Sequence, residues 1–382
     1  MLQKEDRRWV ENTIAKVRAK MAWLSEKSSD KIPYITIDKD HDNMRNGGLN
    51  GSDGLLWWTN GFWAGMLWLM YHETGEKTYA NIARKTEEWL DDCFNRVSGL
   101  HHDVGFMWLT SAVAGYSLTG NPNSRERGIH AAQLLASRFN PVGRFIRAWN
   151  DLADGKDTRG WAIIDSMLNI PLLYWASEET SDPRFKQIAM MHADTIRENF
   201  IRVDGSCEHI VEFNPESGKK VSTHVGQGYA DGSAWTRGQA WALYGFMISY
   251  LCTDERKYLD TARCVGGYFM DHIPESGLIP VDFQQPAQLA LEDSSAAAIA
   301  ACGFIELARN GEAAERDSCL QVALKILKAL DKRRCDYSRE RDNILTHCTR
   351  AYHHEHRHVG LVYADYYYME ALSKLKGLDL QR

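Results

Sequence analysis

Two kinds of apolar segment alternate along the chain. Segments of the first kind are apolar on every side and predict helices buried all round. Those of the second carry one apolar stripe at helical spacing and predict helices with a wet face. All-apolar helices are expected to begin near residues 61, 104, 162, 236, 294 and 365, and amphipathic ones near 5, 77, 124, 183, 255 and 313. Turn formers punctuate them, at Thr74-Gly75, Thr119-Gly120-Asn121-Pro122, Thr180-Ser181-Asp182-Pro183 and Thr253-Asp254-Glu255. In the third of these, Ser181 or Asp182 caps the next helix and Pro183 fits its first turn. Phe185, Ile188, Ala189, Thr195 and Ile196 then form the apolar face, while Lys186, Gln187, Asp194 and Glu198 stay wet. Strand signals are sparse. Trp161 to Ala176 reads as one helix apolar on every side, with Asp165 in its first turn. A carboxylate in such a place calls for pairing, for neutralisation with a raised pKa, or for an opening onto a cleft.

Short connections make consecutive helices antiparallel, so the all-apolar helices run parallel to one another and the amphipathic ones wrap them. The fold class is all-α, a toroid of six helical hairpins or (α/α)6 barrel. An open helical solenoid satisfies the same alternation, although the repeat spacing is irregular. Parallel inner helices place their N-termini at one end, where the sequence sets Trp58-Thr59-Asn60, His101-His102-Asp103, Trp161 to Asp165, Asp231 to Gln239, Glu292-Asp293-Ser294 and Asp365. Polar, acidic and aromatic groups thus converge where the loops are longest. Capping is the competing explanation for the aspartates, and it serves equally well for Asp293 with Ser294. It explains less at Asp103 and Asp165, which are set among apolar residues and histidine.

Composition narrows the function. The 382 residues contain no Ser/Gly/Pro-rich linker or low-complexity tract, which predicts a single domain over 1–382. With 25% charged residues and a net charge of −6, neither nucleic acid nor an anionic membrane is an expected partner. A small ligand is. The start of the chain is too charged for a signal peptide and no apolar run is long enough to span a bilayer, so a cytoplasmic location is expected. Eight scattered cysteines without a CxxC pair suit reduced, mostly buried thiols.

Two carboxylates converging in a cleft with many tryptophans is equipment for handling sugars, because carboxylates do acid–base work and indoles stack on apolar sugar faces. Trp58, Trp63, Trp149, Trp161, Trp235 and Trp241 all fall at or near the expected mouth. Each one alone is ordinary core filler; their concentration at one end is the signal. Arg237 sits in the first turn of an inner helix, where a cation opposes the helix dipole and calls for an anionic partner such as a ligand. The run His353-His354-Glu355-His356-Arg357-His358 lacks the spacing of a helical metal-binding pair and reads as a solvated loop rimming the cleft. His101-His102 has an equally plain explanation, a ring that hydrogen-bonds the neighbouring aspartate or backbone.

Several of these stretches together resemble the unsaturated glucuronyl hydrolases of glycoside hydrolase family 88. They are His101-His102-Asp103-Val104-Gly105-Phe106, Ile163 to Asn169, Gln227-Gly228-Tyr229-Ala230-Asp231, Trp235-Thr236-Arg237-Gly238-Gln239-Ala240-Trp241, Asp293-Ser294-Ser295 and Asp365 to Leu372. The resemblance covers nearly the whole chain and implies an (α/α)6 barrel. It implies a hydrolase that releases the Δ4,5-unsaturated uronic acid from the non-reducing end of lyase-generated oligosaccharides by hydrating its enol ether; neither metal nor cofactor is expected. Asp165 would protonate C4 and then activate the water that attacks C5, and Asp103 would assist. Trp58, His102, Trp149, Gln227, Trp235, Arg237, Trp241 and Thr349 would bind the substrate. This sequence departs from the family pattern at Thr223 to Gln227, which carries extra residues, and in the histidine-rich stretch before Asp365. Three alternatives stay open: an unsaturated rhamnogalacturonyl hydrolase, an N-acylglucosamine 2-epimerase type, which would want paired histidine bases, and a carbohydrate-binding barrel without activity.

Overall fold

The computed structural model describes residues 2–47, 54–151 and 155–380; the remainder of the expected 1–382 domain lies outside the described residues. Outer helix α1 (Lys4–Lys27) is followed by β1 (Ile35–Ile37) and β2 (Asp40–His41), then inner α2 (Phe62–Thr74) and outer α3 (Lys77–Leu90). The second inner helix is α4 (Val104–Trp108), continued through a π turn at Leu109–Val113 into α5 (Ala114–Thr119), and its outer partner is α6 (Pro122–Ser137). Next come β3 (Phe139–Asn140), β4 (Phe145–Ile146) and β5 (Trp161–Ile163), a 3-10 turn at Ile164–Leu168, inner α7 (Pro171–Thr180) and outer α8 (Pro183–Asn199). Strands β6 (Ile210–Phe213) and β7 (Lys220–His224) precede inner α9 (Thr236–Thr253) and outer α10 (Arg256–His272). Inner α11 (Ser294–Asn310), outer α12 (Ala313–Arg333), β8 (Gly360–Leu361) and inner α13 (Val362–Lys376) complete the chain. Helix α13 packs on α11, on α2 and on α1, so the inner ring closes and the barrel is an (α/α)6 toroid, not an open solenoid.

The layers follow from the apolar patterns. Every residue from Phe62 to Met70 of α2 is buried, as is every residue from Ser294 to Ala308 of α11. By contrast α8 buries only the stripe of Phe185, Ala189, His192, Ala193, Thr195 and Ile196. Its start is capped as expected, with the Asp182 carboxylate accepting the Arg184 N–H and Pro183 in the first turn. Inner helices approach one another closely where glycine allows it. A Cβ on Gly61 would stand 2.1 Å from the Met107 carbonyl oxygen, and one on Gly105 2.4 Å from Asn169 Cα.

The segment Trp161 to Ala176 is not the single helix expected. Trp161, Ala162 and Ile163 pair with Glu212, Val211 and Ile210 of β6, and the Ile164 N–H continues that ladder to the His209 carbonyl. Pro171 then opens a new helix, because it has no N–H to give to a preceding turn. Asp165 therefore sits in a five-residue 3-10 turn between strand and helix. A second departure is Asp365, expected at the mouth. It is fully buried, its carboxylate accepts the N–H groups of Ile344 at 2.9 Å and Leu345 at 2.7 Å, and burial raises its pKa to about 7. It anchors the segment that leads to the rim.

Substituting Gly61→Ala forces α2 away from the second inner helix. A loss of about 1–3 kcal/mol in unfolding free energy is expected by denaturant titration, with an unchanged secondary-structure spectrum before the transition.

Candidate active site

A cavity of about 410 Å³ opens at the N-terminal end of the inner helices. Trp58, Asp103, Trp149, Asp165, Gln227, Trp235, Arg237 and Trp241 line it, as the sequence led one to expect. Trp58 reaches it from the loop before α2, with its ring against Tyr363 (4.9 Å between centroids) and Phe106 (5.4 Å). Trp241, one turn into α9, packs between Phe106 and Tyr367. These rings are braced by other rings, so their faces are fixed before any sugar arrives.

The two carboxylates occupy unlike surroundings. Asp103 caps α4 in position, but its side chain turns to other partners: Oδ1 accepts from Asn169 Nδ2 at 2.9 Å, and Oδ2 lies 3.1 Å from His101 Nδ1. Burial by itself would raise its pKa, yet the neighbouring His102, His101 and the Asn169 amide outweigh burial and hold it at about 2. Asp165 is the converse. Burial lifts its pKa well above the usual carboxylate range and the charge of Asp103 adds to the lift, while Arg237 and the Ser166 N–H pull the other way and are outweighed. Its Oδ1 is buried and makes no hydrogen bond among the described residues. His102 Nε2 spans the pair, 3.4 Å from Asp103 Oδ1 and 3.8 Å from Asp165 Oδ1, and burial lowers its pKa to about 4, which keeps the ring neutral at physiological pH.

Asn169 fixes this arrangement. Its Oδ1 accepts the Phe106 N–H at 2.7 Å while its Nδ2 serves Asp103, so one amide joins the turn of Asp165 to the first turn of α4. The close approach at Gly105 is what lets Asn169 in.

Arg237 was expected to find its anion in a ligand. Instead it is paired with Asp293, the cap of α11, and so the helix-dipole conflict is resolved inside the protein. Asp293 is thus both a cap, accepting the Ser295 N–H at 3.0 Å, and a counter-ion. The other guanidinium bonds run from Nη1 to the Thr349 carbonyl (2.9 Å), and from Nη2 to Gln227 Oε1 (2.6 Å) and the Arg350 carbonyl (2.5 Å). The same guanidinium still faces the cavity.

Two expected binding residues do not reach the cavity. His102 is fully buried beneath the aspartates, and its neighbour His101 lines the wall instead. Thr349 is also fully buried; its hydroxyl donates to the Glu292 carbonyl, and its own carbonyl holds Arg237. Trp63 and Trp161 are core residues, Trp161 lying between Trp149 and His224. Exposed Asp231 spends its carboxylate on the Val225 N–H. Conversely, Tyr34, Trp57, Arg350 and Tyr363 line the cavity and were not foreseen. Tyr34 and Trp57 belong to the segment before the first all-apolar helix, where no periodicity marks a site. Arg350 lies on the far side of the barrel in sequence and stacks over Trp57 at 5.3 Å.

The histidine run was expected to rim the cleft; no residue of 353–358 lines the cavity, and His353 Nε2 lies 2.8 Å from the Tyr229 carbonyl while His358 Nε2 accepts the Glu292 N–H at 3.3 Å. Among the described residues, the grouping of imidazoles and carboxylates with ligand atoms drawn together is elsewhere, at His101, His102 and Asp103, within 4.8 Å of one another. Asn169 and the imidazoles already surround that carboxylate.

Residues 29–378 match the Glycosyl Hydrolase Family 88. An unsaturated glucuronyl hydrolase of Bacillus sp. (strain GL1) is 34% identical over 361 residues, which is 92% of each chain. An unsaturated chondroitin disaccharide hydrolase of Streptococcus pyogenes serotype M1 is 35% identical over 325 residues, covering 82% of this chain and 80% of its own. The crystal structure of the unsaturated glucuronyl hydrolase from Bacillus sp. GL1, responsible for the degradation of glycosaminoglycan, superimposes with a TM-score of 0.88 at 31% identity, over 96% of this chain and 97% of that one. With the barrel, the motifs and the paired aspartates in agreement, the chain belongs to glycosyl hydrolase family 88 and is a glycoside hydrolase.

Proposed function

We propose that this enzyme releases a Δ4,5-unsaturated uronic acid from the non-reducing end of small glycosaminoglycan-type oligosaccharides, acting as one catalytic domain over residues 1–382. The observation that carries the reading is a pair of aspartates on either side of His102 in an aromatic-lined cavity, Asp103 bonded by Asn169 and facing His101, and Asp165 with a buried Oδ1 that has no hydrogen bond among the described residues. The names of the relatives agree with the substrate class. The eight cysteines are free thiols, which supports a place in the cytoplasm; none of the helices described is long and apolar enough to cross a membrane.

Asp165, held neutral at the bottom of the cavity, gives its proton to C4 of the ring. Positive charge develops on C5 and O5, and the ionised Asp103, itself buried, stabilises it. Asp165, now a carboxylate, takes a proton from the water that adds to C5, which returns it to the neutral form. The product is a hemiketal; it opens to a C5 ketone, and the freed C1 hemiacetal expels the leaving sugar. No proton needs to reach the glycosidic oxygen first. In this reading Arg237 and Gln227, hydrogen-bonded to each other at the cavity wall, meet the uronate carboxylate, and Trp58, Trp149 and Trp241 meet the sugar faces.

Replacing Asp165→Asn preserves shape but removes the proton, and turnover should fall at least ~10²-fold with substrate binding retained. The assay is loss of the conjugated double-bond absorbance over a panel of lyase-generated unsaturated disaccharides. Wild-type turnover by this variant would exclude Asp165 as the acid.

Removing the charge of Asp103 lowers the pKa of Asp165, because a negative neighbour is one of the causes that raise it. The alkaline limb of the kcat/KM profile reports loss of the Asp165 proton, so in Asp103→Asn this limb should move to lower pH as the rate falls. A limb that stays in place would mean that Asp103 acts on the substrate alone.

Lysine cannot reproduce the fork of Arg237. In Arg237→Lys, acceptors on Gln227, Thr349 and Arg350 lose their donor, at a cost of about 1–3 kcal/mol in stability. KM should rise more than kcat falls; a collapsed kcat at unchanged KM would place Arg237 on the transition state.

A further inference from the structure

The turn that carries Asp165 is held from behind by the outer layer of the barrel. His192 lies at the centre of the buried stripe of α8 and is fully inaccessible. Its Nδ1 accepts the backbone N–H of Ile146 at 2.9 Å. A backbone N–H can only donate, so the proton of the neutral ring is on Nε2, which stands 2.7 Å from Ser166 Oγ. The single hydroxyl proton of Ser166 goes to the Ile163 carbonyl at 2.5 Å, which leaves Ser166 Oγ as the acceptor for His192. The direction of every bond in this relay is therefore fixed, from the β3–β4 hairpin through α8 to the residue next to Asp165. Burial lowers the His192 pKa to about 3, so the ring keeps this neutral form across the working range.

Asp165 needs such support. Its turn is short and has no side-chain cap at Ile163, and its Oδ1 makes no hydrogen bond among the described residues, so backbone placement decides where the acid points. The hydroxyl of Ser166 occupies the Ile163 carbonyl, which helps to keep this stretch from running on as an α-helix.

We propose that His192 is a positioning residue for Asp165, acting through Ser166 to set the turn at the distance from Asp103 that the reaction requires. This rests on the reading of Asp165 as the acid. His192 touches no part of the cavity; the sugar-facing rings stand on other elements, so binding and turnover should separate.

The test compares three variants with the wild type. His192→Phe keeps an aromatic ring at the site, a somewhat larger one, and removes both hydrogen bonds. Its kcat should fall at least ~10-fold, since a displacement of about 1 Å at a catalytic group is costly, while KM stays within about twofold. The alkaline limb of its kcat/KM profile should move to lower pH as the aspartates separate. His192→Gln puts an amide N–H near the place of Nε2 and should return kcat to within about threefold of the wild type. Ser166→Ala breaks the relay while leaving His192 and Ile146 in place, and should reproduce the shifted limb even if His192→Phe does not fold. A wild-type kcat and pH profile in either His192→Phe or Ser166→Ala overturns the proposal, as does equal impairment of the Gln and Phe variants. Asp165→Asn measured alongside separates the two readings. If it is inactive while His192→Phe is unaltered, only the positioning role falls; if it is active, the assignment of the acid falls first.

Discussion

Helices buried on every side leave their polar groups one direction in which to find partners. In this barrel the first turns of the inner ring point into a common cavity, and the groups there must satisfy one another or face a ligand. Asn169 shows how tightly this is done, since one amide terminates a backbone N–H of α4 and a carboxylate oxygen of Asp103 at once. Without it Asp103 would lose the donor that helps to keep it ionised in a place where burial favours the neutral form. The cavity, the paired aspartates and the close approach of α4 to the Asp165 turn all depend on that junction.

From this follows the division of labour between two residues of the same chemical type. Asp103 is surrounded by donors and holds its charge; Asp165 has apolar walls and a negative neighbour, and holds its proton. His102, fully buried between them, is neutral at physiological pH. A single environment could not supply both an acid and a charge stabiliser near neutral pH. The barrel supplies two environments because the aspartates come from different inner elements, one at a helix cap and one on a strand-to-helix turn.

The opposite wall is organised by a buried ion pair. Arg237 and Asp293 join α9 to α11, and the remaining guanidinium protons tie down the 349–350 segment and Gln227. A buried charge pair contributes little net stability unless its remaining donors and acceptors are also satisfied, and here Nη1 and Nη2 of Arg237 are both hydrogen-bonded. Its larger effect is placement: it holds the Thr349 and Arg350 carbonyls, and Arg350 stacks over Trp57 at the cavity wall.

How much of this was legible in the sequence depended on the range of the interaction. Alternation of all-apolar and one-sided helices is a local pattern, and it determined the six hairpins, the common end for the mouth, and the presence there of Asp103, Asp165, Trp58, Trp149, Trp235 and Trp241. Ring closure was not local: it required α13 to meet α2 across the length of the chain. The break in Trp161 to Ala176 was hidden because its apolar residues suit a buried strand as well as a buried helix, and pairing with β6 decided between them. His102 and Thr349 carry the right chemistry for a ligand, but neighbours distant in sequence turned them inward, whereas Tyr34 and Arg350 were brought to the wall by contacts that no spacing records. The sequence by itself thus determined which groups gather at one end of the barrel. Only the tertiary structure decided which of them face the cavity and which aspartate keeps its proton, because burial and charge at a site are set by residues far apart along the chain.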